Sequence, residues 1–172
     1  AWVNVDASVA KGANMYILGK GRTGNPGEAA NNQNYGFRLF ESGGYLNLSW
    51  LFRSRDDGDS AGDWHRWDSS TGFKAGSGWH HVAVVYVFGE PESIRGYIDG
   101  EAVEGVWSKS YAGATKRPPV VDNDEIWVGT SGGLNASTSF QGSLDEVALY
   151  RRALSAEQLT ARFPVEPYSP KI

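Results

Sequence analysis

The sequence predicts an all-β fold, in which two antiparallel sheets pack as a sandwich and one short helix lies near the C-terminus. The main observation is a series of nine short apolar segments separated by clusters of Gly, Asn, Asp or Pro. Strands of this number and length favour a sandwich or a barrel. The predicted strands are residues 1–5, 16–20, 35–41, 45–53, 79–88, 94–99, 102–107, 126–129 and 142–150.

A β-hairpin is predicted at Asp99-Gly100, which separates two apolar segments. A two-residue hairpin turn of the primed type needs positive φ at both positions, and this dipeptide tolerates it. The segment Trp79–Phe88 is apolar at both alternating positions. It is therefore expected to be a central strand that is covered on both faces, or one that lines a concave face.

The last predicted strand changes its pattern along its length. Leu144, Val147, Leu149 and Tyr150 indicate a half-buried strand, but Leu144 and Val147 differ in parity. A β-bulge near residues 145–146 would direct both side chains inward.

The helix that follows is specified by its first residues. Ser155 is expected to be the N-cap, with Gln158 as its capping-box partner. Leu154 and Leu159 are placed to form a hydrophobic staple, and Pro164 is expected to end the helix. A helix of this length needs tertiary support, so it is expected to pack on the body of the domain.

Composition excludes several classes of function. The chain has 172 residues, 40% of them hydrophobic, which favours one domain with a substantial core. Its charges are scattered and the formal net charge is −4, so neither nucleic acid nor an anionic membrane is expected as a partner. It contains no Cys, which excludes disulfides and thiolate catalysis within the chain. No apolar run has the length of a transmembrane helix, and residues 1–20 lack a signal-peptide pattern.

A single domain is expected over residues 1–172, with residues 164–172 as a tail. Residues 1–5 already have the pattern of a strand. We therefore expect the domain to be truncated at its N-terminus, with an upstream strand and any targeting signal outside this sequence.

Four motifs follow one another along the chain, at Trp79–Tyr86, Arg95–Gly100, Ile126–Gly129 and Gly142–Ser155. In residues, order and spacing they resemble the laminin-G-like, concanavalin A-like jelly-roll family, and in particular its bacterial modules, over nearly the whole chain. The resemblance implies a jelly-roll sandwich with a binding role and no catalysis, commonly for glycans and sometimes for proteins. It also implies an extracellular or cell-envelope location within a larger protein.

The resemblance further implies a structural calcium ion, held by backbone carbonyls near the N-terminus and by the aspartate of the final strand, here Asp145. Carbonyls and water can complete the six or more oxygens that calcium needs. Alternatively, Asp145 accepts hydrogen bonds from backbone amides at the rim. A second candidate cation site is the acidic segment 56–63 with Asp57 and Asp59, although this segment fails the EF-hand pattern and a solvated polar turn is the favoured interpretation.

Aromatic residues in two predicted long loops are the candidate ligand contacts. The loop 54–78 contains Trp-His-Arg-Trp directly after the acidic segment, and indoles can stack on sugar rings while polar neighbours bond the hydroxyls. Alternatively, one or both tryptophans fold inward as a small core under the loop. The loop 108–123 is bordered by further aromatic residues. The candidate ligand-binding residues are Trp64, His65, Arg66, Trp67, Trp107 and Tyr111.

No catalytic residue is predicted. Gly129–Gly133 matches a Gly-x-Ser-x-Gly nucleophile pattern, but the polar segment after it is not a helix start, as a nucleophile elbow requires. His80 and His81 project to opposite faces of their strand, so they cannot bind one metal ion together. The Glu-x-Asp-x-x-Glu motif of jelly-roll glucanases does not occur in the sequence.

The sequence therefore predicts a non-catalytic, lectin-like module of a secreted or envelope protein, with a glycan or polysaccharide as its partner. The main alternative is a protein-protein or interdomain interaction module, in which the same aromatic residues contact a neighbouring domain. An enzymatic function is the third and weakest hypothesis.

Overall fold

The structure is a computed structural model that describes residues 1–21, 33–54, 64–121, 125–132 and 136–161. Within these ranges the strands alternate with turns, and two short helices lie near the C-terminal end. The elements are β1 (Trp2–Val5), β2 (Asn14–Lys20), β3 (Tyr35–Ser42), β4 (Tyr45–Arg53), β5 (Trp64–Lys74), β6 (Trp79–Val87), β7 (Glu90–Ile98), β8 (Glu101–Val103), β9 (Gly105–Trp107), β10 (Ile126–Val128), a 3-10 helix (Ala136–Thr138), β11 (Gly142–Asp145) and α1 (Ala156–Thr160). No helix in these ranges has the length and apolarity needed to cross a membrane.

The strands form two antiparallel sheets, which confirms the predicted sandwich. The five-stranded sheet has the order β11-β1-β6-β7-β8, and the six-stranded sheet has the order β10-β2-β3-β4-β5-β9. The pairing between β4 and β5 is long, extending from Tyr45 opposite Lys74 to Arg53 opposite Trp64.

The core lies between the two sheets and is rich in aromatic rings. In β4, the alternate residues Leu46, Leu48, Trp50 and Phe52 all belong to it. Phe52 makes ring contacts with residues from three other strands and one turn, with centroid distances from 5.0 to 6.1 Å. Since side chains alternate across a strand, the residues between these four face away from the core.

The strand β6 is covered on both faces, as predicted. Its residues Val82, Val84 and Tyr86 contact the main core, whereas Ala83 and Val85 pack on the opposite face of the sheet. There they join a second, smaller apolar cluster formed by Tyr97, Leu154 and Leu159. The C-terminal segment is thus attached to the outer face of the five-stranded sheet.

The C-terminal helix follows the prediction. Ser155 is its N-cap, and Gln158 donates its backbone N–H to the Ser155 hydroxyl while its side chain accepts from the Ser155 N–H, which completes the capping box. Leu154 and Leu159 are buried in the same cluster, as a hydrophobic staple requires. Pro164 lies outside the described residues.

The end of β11 corrects the predicted strand 142–150. The strand stops at Asp145, and Glu146 has a left-handed φ of 45°. This turn changes the parity, so that Leu144 and Val147 both contact the main core, as expected. Leu149 and Tyr150, which were predicted to be half-buried, are 52% and 42% exposed, because no strand continues past the turn.

Two further predictions about strands are wrong. The predicted loop 54–78 contains β5, because the acidic segment in front of it obscured the alternation that begins at Trp64. The predicted single strand 102–107 is two strands, since the chain crosses at Glu104 from the five-stranded to the six-stranded sheet. A β-carbon on Gly105 would overlap the Trp67 ring, so only glycine fits at the start of β9.

The predicted Asp99-Gly100 hairpin joins β7 to β8, and both residues have positive φ, 52° and 83°. The Asp99 carboxylate accepts the His81 backbone N–H at 2.7 Å and contacts His80 Nδ1 at 2.6 Å. This side chain therefore ties the turn to the start of β6.

We expect Asp99→Ala to lower the free energy of unfolding by about 1–2 kcal/mol, because it removes the acceptor for the His81 N–H and places a residue with less tolerance for positive φ in the turn. Asp99→Asn is the matched control: it keeps an acceptor oxygen and tolerates left-handed φ, so its loss should be smaller. Urea unfolding measures both, and an unchanged stability of Asp99→Ala would show that the turn does not depend on this side chain.

Candidate functional site

The strand β5 divides the predicted ligand residues between the two faces of its sheet. His65 and Trp67 point inward and are 2% and 3% exposed. Trp64 and Arg66 lie on the outer face and are half-buried. The sequence prediction treated these four residues as one platform on a loop, but the alternation of a strand makes that arrangement impossible.

Trp67 and His65 are core residues, which corrects their prediction as ligand contacts. The Trp67 ring fills space that two glycines leave open: a β-carbon on Gly96 would lie 2.8 Å from Trp67 Cη2, and one on Gly105 would overlap the ring. The His65 ring stacks on Phe52 at a centroid distance of 5.0 Å, and its Nδ1 is 2.6 Å from the Gly113 carbonyl oxygen. Neither ring has a surface available for a sugar.

Trp107 also belongs to the interior, contrary to the prediction. Its ring packs edge-on against Phe52 and Tyr86, and its indole Nε1 donates to the Pro91 carbonyl oxygen at 3.2 Å. Of the six predicted ligand residues, Trp64, Arg66 and Tyr111 lie outside the core. Their role as ligand contacts stays a prediction.

Around Arg66 the outer face of the six-stranded sheet carries a group of polar and aromatic side chains that we call the arginine–aromatic cluster. Arg66 Cζ lies 4.7 Å from the centre of the Phe40 ring and 5.8 Å from that of Tyr111. Arg66 Nε donates to Asp68 Oδ1 at 2.7 Å. The cluster consists of Arg38 and Phe40 from β3, Ser49 from β4, Arg66 and Asp68 from β5, and Tyr111.

The strand register places the polar members of this cluster in one row. Arg38 is opposite Ser49 in the β3–β4 pair, and Ser49 is opposite Asp68 in the β4–β5 pair. Adjacent strands are about 5 Å apart, so three polar side chains stand side by side across the sheet. Apolar neighbours occupy the alternate positions and face the core.

Arg38 is a buried cation on this face. It is 5% exposed, its Nη2 donates to the Ser49 hydroxyl at 3.1 Å, and its Cζ lies 5.5 Å from the centre of the Tyr16 ring. Among the described residues, its Nε has no hydrogen-bond partner. Burial lowers the pKa of Arg38, but a guanidinium stays charged at neutral pH.

Arg66 differs from Arg38 because it has a carboxylate partner. Burial by itself would lower the pKa of Arg66, but the hydrogen bond and charge of Asp68, together with Tyr111, raise it above its ordinary value. The arginine is therefore held in a fixed orientation, with its planar face against aromatic rings and one edge on a carboxylate.

Tyr111 reaches the cluster from the segment that follows β9. The Ala112 N–H donates to the Trp64 carbonyl oxygen at 2.9 Å, and the Ser108 N–H donates to that of Arg66 at 2.7 Å. These bonds fix residues 108–112 along β5, so that Tyr111, which is 37% exposed, borders the site.

Sequence reasoning missed Arg38, Phe40, Ser49 and Asp68. A signal for Arg38 was present, because it stands between the apolar residues Phe37 and Leu39 of an otherwise alternating strand. No local signal places Ser49 and Asp68 on the outer face, because their position follows from the pairing register of β4 with β5.

Of the three predicted metal ligands, only Asp145 lies among the residues that the structure describes. Asp145 Oδ1 accepts the Glu146 backbone N–H at 2.7 Å, which is the alternative arrangement expected for this aspartate. Among the described residues, no group of three or more His, Asp or Glu side chains could hold a metal ion. Asp57 and Asp59 lie outside those residues. A calcium ion held by Asp145 and carbonyl oxygens stays a prediction.

The other candidate catalytic groups have structural roles. The Ser131 hydroxyl is buried and lies 2.6 Å from Thr138 Oγ1, so it is not an exposed nucleophile. His80 stacks on Phe73 at 4.3 Å, whereas His81 contacts the edge of Trp2 at 5.4 Å. The two imidazoles have separate neighbours, as their opposite directions on β6 require.

Comparison with known families agrees with this architecture. The two-sheet antiparallel sandwich with one short C-terminal helix is consistent with a concanavalin A-like domain. A laminin-G-type family model, described as the concanavalin A-like lectin/glucanases superfamily, matches residues 1–160. The chain therefore belongs to this superfamily. No curated protein and no solved structure gives a significant match to the chain.

Trp67 faces the core and Trp64 faces outward, so replacing each by alanine should lower the free energy of unfolding by very different amounts. Trp67→Ala should lower the free energy of unfolding by about 3–5 kcal/mol, because it leaves a cavity between the sheets. Trp64→Ala, on the outer face, should cost about 1 kcal/mol or less. Denaturant unfolding monitored by circular dichroism compares them, and equal costs would contradict the assignment of Trp67 to the core.

The burial of His81 leads us to expect that the protein loses stability in acid. Burial, and next the charge of the Ala1 amino group, lower the pKa of His81 from 6.5 to about 2 in the folded state. Below pH 6.5 the unfolded chain therefore binds a proton that the folded chain excludes, and stability falls as the pH decreases, by up to about 1.4 kcal/mol per pH unit.

The slope for His81 is best measured between pH 6 and pH 5. The Ala1 amino group, whose pKa burial lowers from 8.0 to about 6, contributes mainly above that interval. Wild type should lose stability across the interval, whereas His81→Gln should show a flatter profile. Identical slopes for the two proteins would rule out His81 as the source.

Proposed function

We propose that the chain is a non-catalytic carbohydrate-binding module of a secreted or cell-envelope protein, and that its binding site is the arginine–aromatic cluster. The observation that carries the proposal is the position of Arg66 on the outer face, between aromatic rings and in contact with the carboxylate of Asp68. Membership of a lectin and glucanase superfamily supports the same assignment.

The cluster offers the two kinds of contact that a sugar ring uses. Aromatic rings such as Tyr111 and Phe40 can accept the C–H face of a pyranose, and Trp64 lies on the same face of β5. Arg66 supplies N–H donors and Asp68 supplies acceptor oxygens, so neighbouring hydroxyl groups of one sugar can bind to both. Sites for small ligands commonly combine an apolar surface with a few fixed polar groups in this way.

The geometry also favours binding without catalysis. Glycoside hydrolysis by the usual mechanisms needs two carboxyl groups placed on either side of the scissile bond. In the described part of the cluster the carboxylate is Asp68, and Arg66 holds it at 2.7 Å. A single carboxylate that is already bonded to Arg66 does not provide the pair of carboxyl groups that this mechanism needs.

Calorimetric titration with a panel of polysaccharides tests the proposal. At least one glycan should bind, and Arg66→Ala and Tyr111→Ala should each weaken it by about tenfold or more, because each removes a direct contact. Arg66→Lys keeps the charge but loses the planar fork, so it should not restore affinity fully. The titrations are repeated with calcium and with chelator, which shows whether the ion contributes.

The matched control is Tyr150→Ala, because Tyr150 is an exposed tyrosine, 42% accessible, on the C-terminal segment of the other sheet. It should bind the glycan like wild type. If no glycan in the panel releases heat, or if the cluster variants bind as tightly as wild type, the proposed site is wrong.

A second candidate function, an interaction module for another domain, is favoured by a separate feature. A large apolar groove of about 770 Å³ lies beside β6, and its lining includes Val84, Tyr86, Trp50, Tyr150 and Leu154. This groove is far more apolar than the arginine–aromatic cluster, and it is suited to a polypeptide rather than to a sugar.

A further inference from the structure

The arginine–aromatic cluster holds more positive than negative charge. Its members include two guanidinium groups, those of Arg38 and Arg66, and one carboxylate, that of Asp68. Arg66 Nε donates to Asp68 Oδ1 at 2.7 Å, so the carboxylate is already engaged by one of the two cations. Among the residues that the structure describes, no carboxylate lies within ion-pair distance of Arg38. This local excess does not follow from composition, because the chain as a whole has a formal net charge of −4.

Arg38 lies too deep for water to screen its charge well. The residue is 5% exposed, and its Nε is buried with no hydrogen-bond partner in the described part of the chain. Burial lowers the pKa of Arg38, and so does the nearby charge of Arg66, whereas Tyr16, Tyr111 and Asp68 favour the charged form. A cation buried without an anion is costly, so a negatively charged ligand group would offset that cost.

Arg66 is the more accessible of the two arginines and has donors left for a ligand. Its side chain is 15% exposed, and it meets Asp68 through Nε. Since a guanidinium has five N–H donors, the terminal amino groups remain for Tyr111 and for a further partner. Ring contacts with Phe40 and Tyr111 hold the guanidinium plane in place. A fixed guanidinium of this kind is well suited to two parallel bonds with a carboxylate.

A sugar that carries a carboxylate fits these observations together. Its charge compensates the excess of the cluster, and its two oxygens lie in one plane, as the donors of Arg66 do. Its hydroxyl groups can donate to Asp68, and its C–H face can lie against Tyr111. A neutral sugar can make the last two contacts, but it leaves the charge of Arg38 without an anion.

We propose that the arginine–aromatic cluster binds a uronic acid, whose carboxylate contacts Arg66, and that the buried charge of Arg38 makes the site prefer an acidic to a neutral sugar. The inference rests on the proposed carbohydrate-binding function and names the class of sugar. Arg38 is then a specificity-determining residue, which acts through its charge near the bound carboxylate.

The test compares pairs of polysaccharides that differ in charge alone. Polygalacturonate, polymannuronate and polyglucuronate are each titrated into the whole chain by calorimetry, beside the methyl ester of the same polymer. At least one acid form should bind about tenfold or more tightly than its ester, because the ester has no charge to meet the two arginines. Added NaCl should weaken the acid form more than the ester. The buffer contains EDTA, so that calcium cannot bridge the carboxylates to the protein.

Variants of Arg38 test the source of the preference. Arg38→Gln removes the charge but keeps an amide that can donate to Ser49, and it should bring the acid and ester affinities to within about twofold of each other. Arg38→Lys keeps a charge and should keep part of the preference. The matched control is Arg95→Gln, which removes the same charge from an exposed position on β7 in the other sheet and should keep the full preference. The ratio of the two affinities is the readout, since a damaged site would lose both ligands alike.

The remaining outcomes separate this inference from the proposed function. If a neutral polysaccharide binds as tightly as any acid form and depends on Arg66 and Tyr111, the carbohydrate-binding function stands and the acid preference is wrong. Binding of dextran sulfate without binding of any uronate would replace the carboxylate by a sulfate ester. A preference that appears only with calcium, or that Arg38→Gln and Arg95→Gln reduce equally, would remove the role of Arg38. If neither acidic nor neutral polysaccharides bind, the proposed function fails as well.

Discussion

The structure depends on the burial of Trp67 between the two sheets. Its ring occupies space that exists only because Gly96 and Gly105 have no side chains, one in each sheet. Once this residue is fixed inside, the alternation of β5 leaves no choice for its neighbours, and Arg66 and Asp68 must lie on the outer face. The position of the candidate site therefore follows from the packing of Trp67, the residue between Arg66 and Asp68, in the core.

The two surfaces of interest use opposite physical chemistry. The arginine–aromatic cluster lies across β3, β4 and β5 in the interior of the six-stranded sheet, and it offers polar groups held by hydrogen bonds and aromatic contacts. The groove beside β6 is lined mainly by apolar side chains from β6, from the facing sheet and from the C-terminal segment. The first surface has the polar and aromatic groups of the proposed sugar site, whereas the second has mainly apolar area.

Local sequence signals predicted the elements whose formation is local. The capping box at Ser155, the hairpin at Asp99-Gly100 and the doubly covered strand β6 were all predicted, because each depends on residues within a few positions of one another. The strand β5 was missed, since its stability comes from long-range pairing with β4 and from Trp67, which reaches glycines about thirty and forty residues away in sequence. For the same reason the candidate site was predicted only in part.

By itself, the sequence determined the class of fold, the ends of the helix and several turns, because alternation, capping and positive φ are properties of short segments. It also placed Arg66 and Tyr111 among the residues of interest. The tertiary structure decided which face each residue occupies and brought Arg38 and Ser49 beside Asp68. These features depend on strand register and on packing between sheets, and neither can be derived from the neighbours of a residue along the chain.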